Sequence, residues 1–227
     1  MEKMNKNIEN MRNQIVNTLD VLNRCGYIDY YNNPGIFYEE ESVIISWNNH
    51  QGGREVSGKA FLKVAQYLKI VSDKAYFAIL KDYSLIRCSF KYNYDGKLLS
   101  ENLLWWPCPL SIDPDMVEEF VLVETIELLM DEPNTQKYLR MRSPVRIDFD
   151  SENDKENHPG AHMHIQHEEC RINTQEPICF NRCINHVMKN YYPDWDVSFR
   201  REDYLNINYA KRRKIQYVNT TEMIIGY

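Results

Sequence analysis

The sequence predicts an α+β protein: a single domain with a mostly antiparallel sheet flanked by helices. Three observations carry that class. LIRCSFKYNY (85–94) and KLLSENLLWW (97–106) flank Asp95-Gly96 as the arms of a hairpin. SPVRIDFD (143–150) and AHMHIQ (161–166) alternate apolar with polar residues, the two-residue period of a strand. Other segments repeat apolar residues at helical spacing.

In chain order, Ile8, Met11, Ile15, Leu19 and Leu22 form the apolar stripe of a first helix, which Gly26 is placed to end. Asn32 to Pro34 reads as a turn and Ser42 to Trp47 as a strand. Ser57 caps a second helix whose apolar face is Phe61, Val64, Ala65, Leu68 and Val71. Asp95-Gly96 favours a two-residue turn with positive φ. Asp113 caps a third helix, with Pro114 at its first position and carboxylates in its first turn, where the helix dipole favours them. The rest of that helix, FVLVETIELLM, is apolar on most sides, so it is expected to be buried. Pro177 opens a fourth helix with Phe180, Ile184, Val187, Met188 and Tyr191 near one face. In the tail, QYV and EMIIGY read as short strands. No repeat or linker divides the chain, so residues 1–227 are taken as one domain. Its helical part covers about 1–75, and a sheet core with a histidine-rich polar face covers about 84–227.

A chain of this length buries roughly 70% of the surface its unfolded form exposes and needs no staples to fold. The net charge of −6 argues against a protein that coats nucleic acid indiscriminately. That charge is uneven. Ser111 to Glu132 holds eight carboxylates and no Lys or Arg, best read as caps and a solvated face. Arg200, Arg201, Lys211, Arg212, Arg213 and Lys214, with Tyr204, Tyr209 and Tyr217 nearby, form a basic stretch that could hold an RNA or DNA backbone and stack bases. A solvated basic loop is the plainer reading of so short a run. The six cysteines are scattered with no CxxC pair, and MEKMNKNIENMRNQ at the start has no apolar signal region. No apolar run approaches ~20 residues. A reduced, cytoplasmic protein off the membrane is expected, with a homo-oligomer left open.

Four of the six histidines fall within His158 to His167, which is where chemistry is expected. Alternation puts Val145, Ile147 and Phe149 on one face of their strand and Arg146, Asp148 and Asp150 on the other. It likewise sets Met163 and Ile165 against His162, His164 and Gln166. If the two strands return antiparallel as neighbours, the polar faces bring Arg146, Asp148 and Asp150 within reach of His162 and His164. Two histidines roughly 7 Å apart along a strand could serve in-line displacement at a phosphodiester, one accepting a proton and one donating it. A carboxylate beside either would fix its tautomer and raise its pKa. Arg146 or Arg171 could neutralise a phosphate, and His158 sits in the loop where a polar group could close over substrate. His-x-His with one aspartate could instead hold a divalent metal at His162, His164 and Asp148, although no diagnostic metal motif accompanies it. The plain alternative is a solvated polar face of an antiparallel sheet.

SPVRIDFD, then HPGAHMHI, then CRI and a helix with the pattern PxxF resemble the bacterial DUF2290 family, a domain of unknown function, best over Leu103 to Tyr192. The resemblance implies a bacterial protein from neighbourhoods of mobile or phage-defence genes. It also implies a polar signature on Arg146, Asp148, Asp150, His158, His162, His164 and Arg171, the residues that strand alternation selects. It supplies no reaction. The leading expectation is therefore a defence or toxin-type effector acting on RNA or another phosphodiester by histidine acid–base catalysis. The first rival is a non-catalytic adaptor of a phage-defence complex, bound to the product of a neighbouring gene. Trp105 and Trp106 must point opposite ways on a strand, so one of them would lie exposed as an interface anchor. The second rival is a metal-dependent hydrolase.

Overall fold

A computed structural model describes residues 4–50, 63–154, 158–165, 170–197 and 199–210. They form α1 (Lys6–Arg24), β1 (Ile28–Tyr31), β2 (Gly35–Tyr38), β3 (Ser42–Ser46), α2 (Val64–Ser72), β4 (Ala78–Leu80), β5 (Leu85–Asn93), β6 (Leu98–Trp106), α3 (Pro114–Asp131), β7 (Val145–Asp150), β8 (Ala161–Ile165), β9 (Ile172–Asn173) and α4 (Phe180–Tyr191). The strands make one sheet in the order β1-β4-β5-β6-β7-β8-β9. The β2–β3 hairpin joins it at the far end of β5. All these pairings are antiparallel.

The fold is α+β, as the sequence predicts. The first 75 residues are less helical than expected, because β1, β2 and β3 belong to the sheet. Gly26 does end α1. It takes φ +76°, its N–H reaches Asn23 O, and the Tyr27 N–H reaches Leu22 O, the paired bonds of a Schellman cap. The β5–β6 turn differs from expectation. Asn93 pairs with Lys97 across three residues, and of those only Gly96 has positive φ. A three-residue turn closing on a left-handed glycine matches strand twist as well as the two-residue form does. Gly96 is also required there, since a Cβ would lie 2.1 Å from Asn5 Oδ1 at the α1 cap.

Two helices depart from their predicted faces. α2 buries Tyr67, Ile70 and Val71, while Ala65 is exposed; Ser57 and Phe61 lie outside the described residues. α3 starts as expected, with Asp113 accepting from the Asp115 N–H, but it buries only Thr125, Ile126 and Leu129. It lies at the surface rather than in the core. Pro177 precedes α4 by three residues instead of opening it: Cys179 is extended (φ −75°, ψ 160°) as the residue before the helix, and the Ile178 N–H donates to Glu101 Oε1 at 3.0 Å. QYV, EMIIGY and Lys211 to Lys214 lie outside the described residues.

Register fixes what each sheet face carries. Cys88 opposite Leu103, Leu103 opposite Ile147 and Ile147 opposite Met163 form an apolar row on one face. α1 and α4 cover this face: Trp105 stacks on Tyr191 at 4.3 Å, and its indole N–H donates to Tyr192 Oη at 3.2 Å. On the other face Trp106 meets Tyr67 of α2 edge-on. Trp105 and Trp106 do point opposite ways, yet both are buried, because helices cover the sheet on both sides at this end. Neither is an exposed anchor, which corrects that expectation.

Candidate metal centre

Strands β7 and β8 are adjacent and antiparallel, so the two-face prediction has the geometry it needs. Two rows result on the polar face. Asn102, Asp148, His162 and Asn173 face one another across β6 to β9. One step along, Leu104, Arg146 and His164 do the same. Arg171, just before β9, extends that second row on the far side of His164 if the register is carried one residue on. Polar side chains therefore meet because four strands share one register.

This face is not solvated. His162 and His164 are 3% and 1% exposed, Arg146 is 7%, and the Asp148 side chain is 19% exposed. Burial of so many polar groups demands partners, and Asp148 is the hub. Its Oδ2 accepts from Arg146 Nε at 2.7 Å and lies 3.3 Å from His164 Nε2 and 3.8 Å from His162 Nε2. Its Oδ1 accepts from the Asn102 amide at 2.6 Å. Burial works to raise the Asp148 pKa, but His164 and the Arg146 charge outweigh it and hold the carboxyl below its usual range.

His162 behaves opposite to expectation. Its Nδ1 lies 2.6 Å from the Pro159 carbonyl, which can only accept, so Nδ1 carries the proton. Nε2 then presents a lone pair toward Asp148. Burial pushes the His162 pKa down to about 4, against the pull of Asp148. The carbonyl, not the carboxylate, fixes the tautomer, and the ring is neutral at neutral pH.

One ligand atom each from Asp148, His162 and His164 lies within 4.8 Å of the others. Ligands about 2.1 Å from one ion in tetrahedral array lie roughly 3.4 Å apart, so the 3.3 and 3.8 Å Asp–His separations suit a shared cation, and the remaining spread, up to 4.8 Å, would have to close around it. The supporting contacts are those of metal sites. The imidazole donates its far N–H to a carbonyl, and the carboxylate is held by a guanidinium and an amide.

The other predicted residues divide. His158 joins the group, its ring edge-on to His162 at 4.8 Å and its Nδ1 3.2 Å from Asn153 O. Asp150 does not join it. Its oxygens accept from the Glu152 N–H and the Asn153 amide, so it organises the β7–β8 loop. Arg200 and Arg201 are exposed, and Arg200 pairs with Glu202 at 3.3 Å. They neighbour Asp203, whose carbonyl accepts from Gln14 of α1 and Asn181 of α4. They therefore belong to the helix-covered face, away from the cluster. Strand alternation did not bring out Asn102 or the Pro159 carbonyl. Asn102 lies one strand further out, where Ser100, Glu101 and Asn102 run together as three polar residues, so alternation does not single it out.

The DUF2290 family, described as an uncharacterized conserved protein family, matches residues 27–225, and the chain belongs to it. The match extends well beyond the second half that carries the resemblance. No curated protein and no solved structure matches the chain. Among the described residues, no helix is long and apolar enough to cross a membrane.

Proposed function

We propose that this DUF2290 member is a divalent-metal-dependent hydrolase of phosphodiesters, with Asp148, His162 and His164 as the metal ligands. The observation that carries the reading is the locked His162 tautomer. With its proton committed to Pro159, Nε2 faces a carboxylate oxygen as acceptor against acceptor, an arrangement that a cation between them relieves. Two neutral imidazoles and a carboxylate suit zinc, manganese or iron. A cation there supplies Lewis acidity toward a phosphoryl oxygen. Asp148 and the two imidazoles orient it, and Asn102 and Arg146 hold Asp148. A divalent cation held by one carboxylate and two neutral imidazoles would leave net positive charge at the site, which favours an anionic substrate, RNA or DNA in the first instance. His158, on the loop edge of the cluster, is placed to carry a proton.

Metal-free acid–base catalysis by His162 and His164 has less support. It asks His162 to take a proton near neutral pH, and burial opposes that. The test compares chelator-treated and metal-reloaded protein on bis(p-nitrophenyl) phosphate, RNA and single-stranded DNA. Metal-dependent turnover that falls more than ~100-fold in His164→Ala is expected, since even outer contacts of a metal site are worth ~10–100-fold. Turnover that survives both chelation and that substitution would overturn the reading.

A further inference from the structure

We infer that Asn173 is a further catalytic residue of the candidate metal centre, donating from its side-chain amide to a non-bridging phosphoryl oxygen of the substrate. This rests on the metal-hydrolase reading and deepens it. Asn173 stands opposite His162 in the β8–β9 ladder, and Asp148 stands opposite His162 in the β7–β8 ladder. Directly paired residues turn their side chains to the same face. The His162 imidazole is therefore flanked by the carboxylate on one side and by the Asn173 amide on the other.

The sense of that amide is fixed. The Gln175 N–H donates to Asn173 Oδ1 at 2.8 Å, and only the oxygen of an amide side chain can accept it. Nδ2, with two donor hydrogens, is the end that the turn does not hold. Gln175 takes φ +62° in the same turn, a left-handed conformation that residues other than glycine adopt at a cost. Asn102, at the far end of the row, directs its amide to Asp148. Asn173 differs: among the described residues its Nδ2 donates to no protein group, although the residue is only 8% exposed. A polar group that deep is ordinarily paired. Asn173 is nonetheless more open than either imidazole, which suits a group that meets a ligand.

The chemistry has a use for such a donor. In hydrolysis the water oxygen bonds to phosphorus, the ester oxygen departs with its electron pair, and the proton lost by the water ends on that oxygen. Negative charge on the non-bridging oxygens is then held by the cation and by fixed donors. Around the cluster, Arg146 and Asn102 are engaged with Asp148, and the Nδ1 atoms of His158 and His162 with carbonyls. Asn173 brings the uncommitted N–H groups.

The experiment uses the full chain loaded with zinc or manganese, as wild type, Asn173→Asp and Asn173→Ala. Aspartate keeps an acceptor for the Gln175 N–H, and so keeps the turn, while an anionic oxygen replaces the donor. Metal affinity is read by competition with a chromogenic chelator, kcat and KM on bis(p-nitrophenyl) phosphate, and orthovanadate binding by calorimetry. The expected result is metal binding no weaker than wild type, kcat lower by ~10²–10³-fold at little-changed KM, and orthovanadate bound at least ~10-fold more weakly. Wild-type kcat and orthovanadate binding in both variants would overturn the role of Asn173 and leave the metal reading standing. Loss of metal together with turnover would also overturn it, by making Asn173 a support for His162. A wild type without metal-dependent turnover would sink the metal reading, and this inference with it.

Discussion

Glu101 is a buried carboxyl and Asp148, on the neighbouring strand, a half-buried one, and their surroundings drive them in opposite directions. Glu101 lies on the apolar face, opposite Phe90 and Phe149, with one backbone donor, the Ile178 N–H. Among the described residues its Oε2 has no hydrogen-bond partner, and burial pushes its pKa far above the carboxylate range. Burial favours its neutral form, and it braces the segment just before α4. Asp148, on the other face, has a guanidinium, an amide and two imidazoles around it and remains charged. Burial alone therefore does not mark a site. Convergent donors around a buried charge do.

The largest expected break in this contrast is Asp148→Ala. It removes a ligand and the carboxylate that holds the Arg146 guanidinium at 2.7 Å, and breaking a buried ion pair on one side costs up to about 3–5 kcal/mol in metal-free protein. Urea denaturation of wild type and variant in chelator measures it, and a loss under about 1 kcal/mol would mean Arg146 is paired elsewhere. A pH series comes next. The folded His162 pKa of about 4 lies below its ordinary 6.5, so the unfolded chain binds a proton that the folded chain refuses. Stability is then full above pH 6.5 and falls as pH drops toward 4, by up to roughly 3 kcal/mol. Asp148 adds its own loss only at lower pH, as it protonates. His162→Gln should reduce the slope between pH 6.5 and 4, seen as urea midpoints that move less, with a remainder from His186, whose pKa burial also lowers.

Two smaller effects sharpen the comparison. Asn102→Ala should weaken metal binding ~10–100-fold by loosening Asp148 while leaving the fold intact, read by competition with a chromogenic chelator. Glu101→Gln should change stability by less than about 1 kcal/mol, because a neutral amide replaces a neutral acid and still accepts from Ile178. A loss of several kcal/mol would mean that Glu101 is charged after all.

The rows that build the cluster were legible because strand alternation is strict. Once β7 and β8 are neighbours, Arg146, Asp148, His162 and His164 must share a face. What alternation cannot supply is the cover over that face. Alternation leaves open whether His162 and His164 line a site or a solvated face, and their burial reverses the sign of the shift that a neighbouring carboxylate leads one to expect for His162. Asp150 illustrates the same limit, since its parity is right but it ends its strand and serves the loop. α3 failed in the other direction. Its apolar composition implied burial, but only Thr125, Ile126 and Leu129 turn inward.

The most direct test of the central claim is calorimetric titration of zinc and manganese into chelator-treated wild type, Asp148→Ala and His164→Ala. A single site in wild type, lost in both variants while each remains folded, is the predicted result. Absence of binding in wild type, or an equal site in the variants, would contradict a metal centre on this sheet face.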